Sequence, residues 1–432
     1  MDVRKKEGRS MKKRRYIYSM LAVIVIAAML LPRQAAQAAG EPKTAEETKI
    51  VLDGYPLEFS AKPMIIQGTT MVPFRGIAEA LGIEVTWDSK TKTVAAKQST
   101  ADGEKSVLLQ LNQKAAQVDG QSVALSIAPL ATAGTTYIPL SFFSKQFGAQ
   151  VSWNAAAKTV SIQSPPKQMY SMTYYAISSF KERHLLTQFD AAAFGWARLQ
   201  EDSTLTTSGE DFYWPEPAGE ITPESIVNGA KQDGTSPYLM VFASDRKDEL
   251  TNMLEDEALA DKAREDIIQL AQEKGFSGIA LDFEGLGLSG DIAKAKQDYN
   301  RFVAQLAKQA RAADLKLTLV LHPLNGAYQG YDYKTLASEA NDIIIMAYAF
   351  EDEKAPEPLH KVDEAIQLAL KEVPRHKLIL GLSMGSENSQ SVASVIGLAK
   401  RHKLKGTAIW RLGLIGEDAM AQIEKSMMPL KQ

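Results

Sequence analysis

From about residue 168 to the end of the chain, short apolar runs alternate with longer stretches in which apolar residues recur at helical spacing. This alternation is typical of parallel α/β units, in which a helix follows each strand. The apolar runs predict eight strands, at residues 172–177, 191–194, 238–242, 278–281, 316–321, 342–346, 378–382 and 406–410. The clearest predicted helices lie at residues 259–274, 293–313, 361–373, 389–402 and 418–427. Roughly 250 residues suffice for a (β/α)8 TIM barrel, so residues 168–432 predict one.

The fourth predicted strand leads into two acidic residues. Side chains alternate between the faces of a strand, so Ala280, Asp282 and Glu284 share one face. Desolvation and mutual repulsion raise the pKa of at least one carboxyl in such a pair, and a protonated acid beside an ionised one suits cleavage of a glycosidic bond. In barrels of this kind the chemistry lies at the carboxyl ends of the strands. Spacing alone leaves a second interpretation open, in which the two acids simply meet solvent.

Residues 49–164 contain two copies of one pattern, offset by 66 residues without a gap. Each copy predicts a hairpin, a strand that ends in proline, a short amphipathic helix that stops at Gly82 or Gly148, and two further strands. A tryptophan recurs as Trp87 and Trp153. We expect both tryptophans in the core, because aromatic side chains dominate packing; stacking on sugars is the alternative. The repeat predicts a smaller α+β domain ahead of the barrel.

The first 38 residues have the features of a secretory signal peptide. A basic segment precedes an apolar run, and Ala36-Gln37-Ala38 provides a cleavage pattern. An uncleaved membrane anchor is the alternative, although the run is short for a span, which needs roughly 20 residues. Residues 39–48 form a polar linker. We therefore expect a secreted or envelope-associated protein.

Charge and composition exclude several classes of function. Loss of residues 1–38 removes nine Lys/Arg and two Asp/Glu, so the net charge changes from −3 to −10. An acidic exported protein is a poor candidate for binding nucleic acid. The chain has no cysteine, and its five histidines lack ligand-like spacing, so we expect neither a metal nor another cofactor. We also expect a monomer.

The repeated pattern resembles the copper amine oxidase N-terminal domain, a stalk domain. The matching features are the proline before the helix, the helix-ending glycine, the tryptophan and the Lys-Thr-Val run that follows in each copy. Residues 49–164 contain no histidine or cysteine, so copper has no ligands there. The resemblance implies a spacer or a wall-associating module. Pro165-Pro166 marks its boundary.

The strand ends of the barrel carry four motifs in order: the Asp282 and Glu284 pair, Met346 with Tyr348, a glycine step at Gly381, and Trp410. Together they resemble glycoside hydrolase family 18, in the bacterial branch found with wall-binding or spore modules. The resemblance implies substrate-assisted, retaining hydrolysis of β-1,4 bonds next to N-acetylglucosamine. Glu284 would be the acid and base, Asp282 and Tyr348 would hold the substrate's acetamido group, and Trp410 and Met346 would contact the sugar.

Other candidates rest on residue type alone. Trp196 and Trp214 are predicted to line a sugar cleft, or else to belong to the core. We expect His322 to be a packed or capping residue. Three tyrosines on the loop after strand five are predicted to form a subsite wall, or simply to decorate the loop: Tyr328, Tyr331 and Tyr333.

Two positions depart from the family pattern, because Ala280 and Ala349 stand where the family has aspartates.

The sequence leaves three hypotheses for the function of the protein. The first is an exported glycosidase acting on peptidoglycan or chitin-type oligomers. The second is a weak or inactive amino-sugar-binding envelope protein. The third is a structural envelope protein with no affinity for saccharides.

Overall fold

The computed structural model describes residues 49–59, 61–100, 103–154, 156–350 and 353–431. The predicted signal peptide and linker lie outside these described residues. Within the part of the chain that is described, no helix is both long enough and apolar enough to cross a membrane.

Residues 49–163 form short strands and two short helices. The strands are β1 (Lys49–Leu52), β2 (Tyr55–Pro56), β3 (Met64–Ile66), β4 (Thr69–Pro73), β5 (Glu84–Asp88), β6 (Thr93–Thr100), β7 (Gly103–Gln110), β8 (Ala115–Val118), β9 (Gln121–Ala124), β10 (Leu130–Thr132), β11 (Thr135–Pro139), β12 (Gln150–Asn154) and β13 (Thr159–Gln163). The helices are α1 (Phe74–Ala80) and α2 (Leu140–Gln146). Equivalent elements, such as α1 and α2, keep the 66-residue offset of the sequence repeat.

The two copies pair with each other through equivalent strands. β4 and β11 run antiparallel, and Val72 lies opposite Ile138, its counterpart in the second copy. β1 of the first copy pairs in parallel with β13 of the second. Because each copy completes a sheet of the other, the repeat forms one domain with a shared core around Ile77 and Phe143. We refer to residues 49–163 as the stalk domain.

The repeated tryptophans are not core residues, contrary to our expectation. Trp87 is 42% exposed and Trp153 is 52% exposed. They lie on β5 and β12, each of which is the edge strand of its sheet. Each pairs with a buried valine, Val94 or Val160, on the neighbouring strand. The alternation of faces therefore points each ring toward the core side, but at the margin of the sheet, where nothing covers it.

The rest of the chain alternates strands and helices, as its apolar pattern predicts. The strands are β14 (Lys167–Gln168), β15 (Tyr170–Tyr175), β16 (Ala191–Leu199), β17 (Leu205–Thr206), β18 (Ser236–Ser244), β19 (Gly278–Glu284), β20 (Lys316–Leu321), β21 (Asp342–Met346), β22 (Leu378–Ser383), β23 (Gly406–Trp410) and β24 (Met427–Met428). The helices are α3 (Pro223–Gln232), α4 (Glu249–Glu255), α5 (Glu257–Glu273), α6 (Ile292–Ala312), α7 (Tyr333–Glu339), α8 (Leu359–Ala369), α9 (Val392–Arg401) and α10 (Gly416–Ser426). A 3₁₀ segment, Ile177–Gln188, replaces the helix between β15 and β16.

Eight parallel strands close into a barrel, which confirms the predicted fold. Their order is β15, β16, β18, β19, β20, β21, β22 and β23, and β23 pairs with β15 to complete the ring. We number them barrel strands one to eight. All eight predicted strands are present, and strand four extends through Glu284, beyond its predicted end. In this ring, strands four and eight lie on opposite sides.

The barrel has two apolar layers, as the strand period requires. Inward-facing residues such as Ala280, Val320 and Ile344 fill the interior. Outward-facing residues such as Leu281 and Phe283 pack against the helices. The strand-four alternation inferred from sequence is therefore present in the structure, and it directs Asp282 and Glu284 toward the barrel interior.

The described residues belong to one compact unit, and the stalk domain contacts helices α8 and α9 of the barrel. The Tyr55 hydroxyl donates a hydrogen bond to Asp363 Oδ2 at 3.2 Å, and His402 Nε2 lies 2.6 Å from Asp363 Oδ1. The Arg401 guanidinium donates to the carbonyl of Pro56 at 3.2 Å. These polar contacts fix the stalk domain on the side of the barrel rather than over its open end.

Candidate active site

Two acidic side chains lie at the carboxyl end of barrel strand four. Asp282 is 5% exposed, and its Oδ1 is buried without a hydrogen-bond partner among the described residues. Glu284 lies two residues further along the same face of the strand and is partly exposed. The buried oxygen of Asp282 is therefore free for a ligand, and Glu284 stands where the barrel opens.

Both carboxyls have raised pKa values. Burial raises the pKa of Asp282 well above its ordinary range, and the charge of Glu284 raises it further. Burial also raises the pKa of Glu284; Arg246 opposes that rise and Glu353 adds to it. A raised carboxyl pKa keeps the proton available toward neutral pH, which is what a general acid needs.

Aromatic residues from other strands surround these acids. Trp410 ends strand eight and makes an edge-to-face contact with Tyr174 of strand one, with ring centroids 5.3 Å apart. Tyr348 follows strand six, and burial raises its pKa well above the ordinary value, with Tyr174 and Asp282 as further causes. Met346 is buried in the same inner layer. The structure thus brings together Asp282, Glu284, Tyr348, Trp410 and Met346 at one end of the barrel.

Gly381 on strand seven makes room for this arrangement. A Cβ there would lie 2.7 Å from the carbonyl oxygen of Ile345 and 3.3 Å from Cε1 of Tyr348. Since real Cβ atoms do not approach backbone oxygen so closely, any other residue would push strands six and seven apart. The glycine step in the sequence therefore has a packing cause beside Tyr348.

Two phenylalanines that sequence analysis did not single out, Phe212 and Phe242, lie beside the aromatic residues at this end of the barrel. Phe212 stacks on Phe242 with centroids 4.4 Å apart, and it approaches Trp410 at 6.5 Å. Phe242 lies on strand three, and Phe212 lies on the long connection after strand two. The long connection after strand two therefore contributes Phe212 to the aromatic cluster.

Trp196 and Trp214 do not line this cleft, which corrects their assignment as substrate-binding residues. Trp196 is fully buried in the outer layer and packs edge-to-face on Trp214, with centroids 5.1 Å apart. Trp214 packs beneath Lys274, the residue that follows α5, outside the barrel. The register shift between Gly195 and Ala197 places Trp196 at an irregular point of strand two and on its helix-facing side. Neither ring contacts the aromatic cluster around Trp410.

His322 lies at the end of strand five, next to Glu284. Its Nε2 is 3.9 Å from Glu284 Oε2, and its ring stacks on Tyr328 with centroids 4.1 Å apart. Of the three loop tyrosines, Tyr328 alone borders the cavity described below. Tyr331 and Tyr333 are buried, and their hydroxyls donate to the carbonyls of Phe283 and His322, both at 2.7 Å. They hold strand ends four and five rather than forming a subsite wall.

A cavity of about 270 Å³ opens beside Glu284. The loops after strands three, four and five border it, and Arg246, Lys294, His322 and Tyr328 contribute side chains. Phe242 also lines the cavity, so the cavity adjoins the aromatic cluster through Phe242 and Phe212, and Glu284 lies on its border. A chain molecule that occupied both the cavity and the aromatic cluster would therefore contact Glu284.

The two departures from the family pattern have structural consequences. Ala280 is fully buried in the inner layer, so Asp282 has no carboxyl neighbour on the interior side. Ala349 has a positive φ of 57°, and its N–H donates to Glu357. Among the described residues, no cluster of three or more His, Cys, Asp or Glu side chains could hold a metal ion.

Comparison with protein families finds two matches. Residues 51–162 match the copper amine oxidase N-terminal domain. Residues 167–407, more than half of the chain, match glycosyl hydrolases family 18. Both matches agree with the resemblances inferred from the motifs.

Curated proteins similar to this chain include two enzymes from Bacillus species. The cortical fragment-lytic enzyme of Bacillus subtilis (strain 168) is 25% identical over 142 residues, which is 31% of this chain and 32% of that protein. The Bacillus anthracis enzyme of the same name is 24% identical over 207 residues, 41% of this chain and 46% of that protein. The chain thus spans about a third to a half of these relatives.

The solved structures support the fold. The Bacillus cereus spore cortex-lytic enzyme SleL superimposes with a TM-score of 0.51 at 18% identity, over 61% of this chain and 75% of that one. A chitinase from Chromobacterium violaceum superimposes with a TM-score of 0.50 at 17% identity, over 60% of this chain and 98% of that one. At such identities the likeness concerns the fold alone.

Proposed function

The chain belongs to glycosyl hydrolases family 18, and we propose that it is an exported glycosidase that cleaves β-1,4 bonds next to N-acetylglucosamine. The observation that carries the proposal is the pair Asp282 and Glu284, directed into the barrel opening beside Tyr348 and Trp410. Peptidoglycan and chitin-type oligomers are the substrates that fit. The similar cortical fragment-lytic enzymes favour a wall glycan.

The proposed mechanism uses the substrate's own acetamido group. Glu284 protonates the glycosidic oxygen while the acetamido oxygen attacks the anomeric carbon, so no protein nucleophile is needed. The free, buried Oδ1 of Asp282 accepts the acetamido N–H and balances the positive oxazolinium ion. Glu284 then takes a proton from the water that opens the intermediate. One acid–base contribution of this kind is worth about 10²–10⁴-fold in rate.

The aromatic cluster supplies the sugar site in this proposal. Trp410 provides an apolar floor under the sugar whose bond is cleaved, and Tyr348 donates to its acetamido oxygen. The cavity beside Glu284 would take the leaving part of the chain.

Export and attachment complete the proposal. The signal peptide predicted for residues 1–38 would send the protein out of the cytoplasm, and the stalk domain would hold it at the wall as a monomer. The exposed Trp87 and Trp153 make sugar stacking by the stalk domain compatible with this role, because neither ring is used in the core.

A binding protein without catalysis is the second candidate, because Ala280 and Ala349 replace family aspartates. Without a carboxyl at position 280, Asp282 has no partner with which to share a proton, so turnover would be slow or absent. Such a protein would still hold amino sugars over Trp410.

The test compares the mature protein with its Glu284→Gln variant on chito-oligosaccharides and on purified peptidoglycan. Released fragments are read by mass spectrometry, and Glu265→Gln, an exposed carboxylate on α5, serves as the matched control. We expect cleavage by the wild type and the control, and a loss of at least 10²-fold in the Glu284 variant. Binding without cleavage by the wild type would favour the second candidate. Neither binding nor cleavage would leave only a structural role.

A further inference from the structure

His322 presents an unused polar atom to the proposed acid. Its Nε2 is buried and has no hydrogen-bond partner among the described residues, yet it lies 3.9 Å from Glu284 Oε2. The ring cannot easily turn away, because it stacks on Tyr328 at 4.1 Å with an interplanar angle of 28°. The hydroxyl of Tyr333 fixes the backbone at the same point by donating to the His322 carbonyl. A buried polar atom left unpaired costs free energy, so its position calls for a functional cause.

The imidazole is neutral under ordinary conditions. Burial lowers the pKa of His322 to about 4. An imidazolium beside Glu284 would stabilise the carboxylate strongly and make it a poor acid. A neutral ring has the weaker effect of a single hydrogen-bond donor, and the tautomer with the proton on Nε2 presents that donor to Glu284.

We propose that His322 is a positioning residue, whose Nε2–H donates a hydrogen bond to Glu284 Oε2 when the carboxyl gives up its proton. The inference rests on the proposed function, in which Glu284 is the acid and base. The gap of 3.9 Å needs to close by about 1 Å, and catalytic hydrogen bonds are often long before substrate binds. With Oε2 held by His322, the proton is carried by Oε1, the oxygen that remains free to face the scissile bond.

The proton balance of the step leaves His322 unchanged. The proton on Glu284 Oε1 passes to the glycosidic oxygen, the bond from the anomeric carbon to that oxygen breaks, and its electron pair stays on the oxygen. The acetamido oxygen forms the new bond to the anomeric carbon. Glu284 is then a carboxylate, and the Nε2–H of His322 stabilises that charge until water returns the proton.

Other groups facing Glu284 act on its pKa independently of His322. Asp282 lies on the same strand, Arg246 follows strand three, and Glu353 precedes α8. Tyr174 on strand one and Tyr348 after strand six remain protonated, since burial raises the pKa of both. These groups stay in place in a His322 variant, so the change measured there belongs to the imidazole.

The test uses two variants that separate the donor from the ring. His322→Phe keeps the ring stacked on Tyr328 but has no N–H, whereas His322→Gln keeps an amide N–H without an aromatic ring. We expect the phenylalanine variant to lose roughly 10–100-fold in kcat, the rate equivalent of a hydrogen bond to a charged group. KM should change less than kcat, because the donor acts on the charge that Glu284 gains only as the bond breaks. The basic limb of kcat/KM should move to higher pH, since loss of a donor to the carboxylate raises the pKa of Glu284. The glutamine variant should recover most of kcat and the pH profile.

A second measurement does not depend on turnover. The Glu284 carboxyl is titrated by NMR in ¹³C-labelled protein, with its signal identified by its loss in Glu284→Gln. We expect a higher pKa for Glu284 in His322→Phe than in the wild type and in His322→Gln. An unchanged Glu284 pKa in the folded phenylalanine variant, or an unchanged kcat and pH profile, would overturn the inference. If the wild type cleaves neither polymer, the proposed function fails, and the titration still decides whether His322 hydrogen-bonds Glu284.

Discussion

At the scale of single residues, Asp282 combines a stability cost with a proposed catalytic use. Its side chain is buried, its Oδ1 has no partner among the described residues, and burial raises its pKa. A carboxyl whose pKa is higher in the folded state than in the unfolded state costs no stability below its unfolded pKa, near 4. The cost grows as pH rises from there through the folded pKa. In the proposed function, this position therefore favours activity over stability.

Replacing Asp282 with asparagine should remove that cost. We expect Asp282→Asn to stabilise the protein at pH 7, by about 1.4 kcal/mol for each unit by which the folded pKa is raised within that range, with little gain at pH 4, because asparagine removes the cost of ionising a buried carboxyl. Proposed turnover should fall by roughly 10²-fold or more, because the amide carries no charge to balance the intermediate. Thermal unfolding at both pH values measures the first effect and fragment release the second.

Asp342 provides the matched control for this substitution. It is also buried, but Lys405 Nζ lies 2.6 Å from both of its oxygens. Asp342→Asn should therefore lower the melting temperature at pH 7, because it removes one partner of a buried ion pair. A lower melting temperature in the Asp282 variant as well would contradict the argument.

Sequence was a good guide to residues that follow the strand period and a poor guide where the period breaks. Asp282 and Glu284 were placed correctly on the inner face because strand four is regular. Trp196 was misassigned because the bulge next to it cannot be read from residue type. Phe212 was missed because its contact with Phe242 depends on the path of a long connection. The catalytic roles assigned to the inner residues remain predictions.

At the scale of elements, the eight barrel strands were predictable because each is a short, mainly apolar run that alternates with helical periodicity. The helix between strands one and two was not, since that connection is a 3₁₀ segment with weak amphipathic periodicity. The exposed tryptophans of the stalk domain show the same limit. An edge strand and a central strand have similar apolar patterns, and only the sheet order shows which of the two lacks a covering neighbour.

Strand seven gives a prediction at this scale. We expect Gly381→Ala to destabilise the barrel by roughly 1–3 kcal/mol, the usual cost of overpacking, because the new Cβ would meet the Ile345 carbonyl at 2.7 Å. Proposed turnover should fall as well, since Tyr348 is displaced by the same methyl group. Thermal unfolding and fragment release measure the two effects. Wild-type values for both would show that strands six and seven adjust freely, against the packing argument.

At the scale of the whole molecule, the stalk domain is fixed to the barrel by a close backbone approach as well as by polar contacts. Gly397 lies inside α9, where a Cβ would come within 2.4 Å of Asp53 Cβ. Asp53 is itself held by Ser164, whose N–H and hydroxyl donate to it at 2.8 and 2.6 Å. The turn that carries Asp53, between β1 and β2, therefore cannot move away from α9 without breaking these hydrogen bonds.

We expect Gly397→Ala to release the stalk domain from the barrel while leaving the proposed turnover of short soluble oligosaccharides unchanged. Small-angle X-ray scattering should show a larger radius of gyration at pH 7 than for the wild type. Trypsin should also cleave faster after Lys167, which lies in the connecting strand. The barrel itself should unfold at nearly the same temperature, because alanine is a better helix former than glycine.

Two comparisons make this expectation decisive. Gly229→Ala is the matched control, because Gly229 also lies inside a helix and its added Cβ meets nothing within 4 Å. We expect acidic pH to weaken the attachment of the stalk domain, as the Gly397→Ala substitution does. Burial alone would raise the pKa of Asp363, but hydrogen bonds from His402 and Tyr55 outweigh it and hold that pKa below its ordinary value. The attachment through Asp363 is therefore complete above pH 4 and is lost as pH falls through the lowered pKa. A Gly397→Ala protein as compact as the wild type at pH 7, with unchanged cleavage after Lys167, would mean that the contact with α9 does not hold the stalk domain in place.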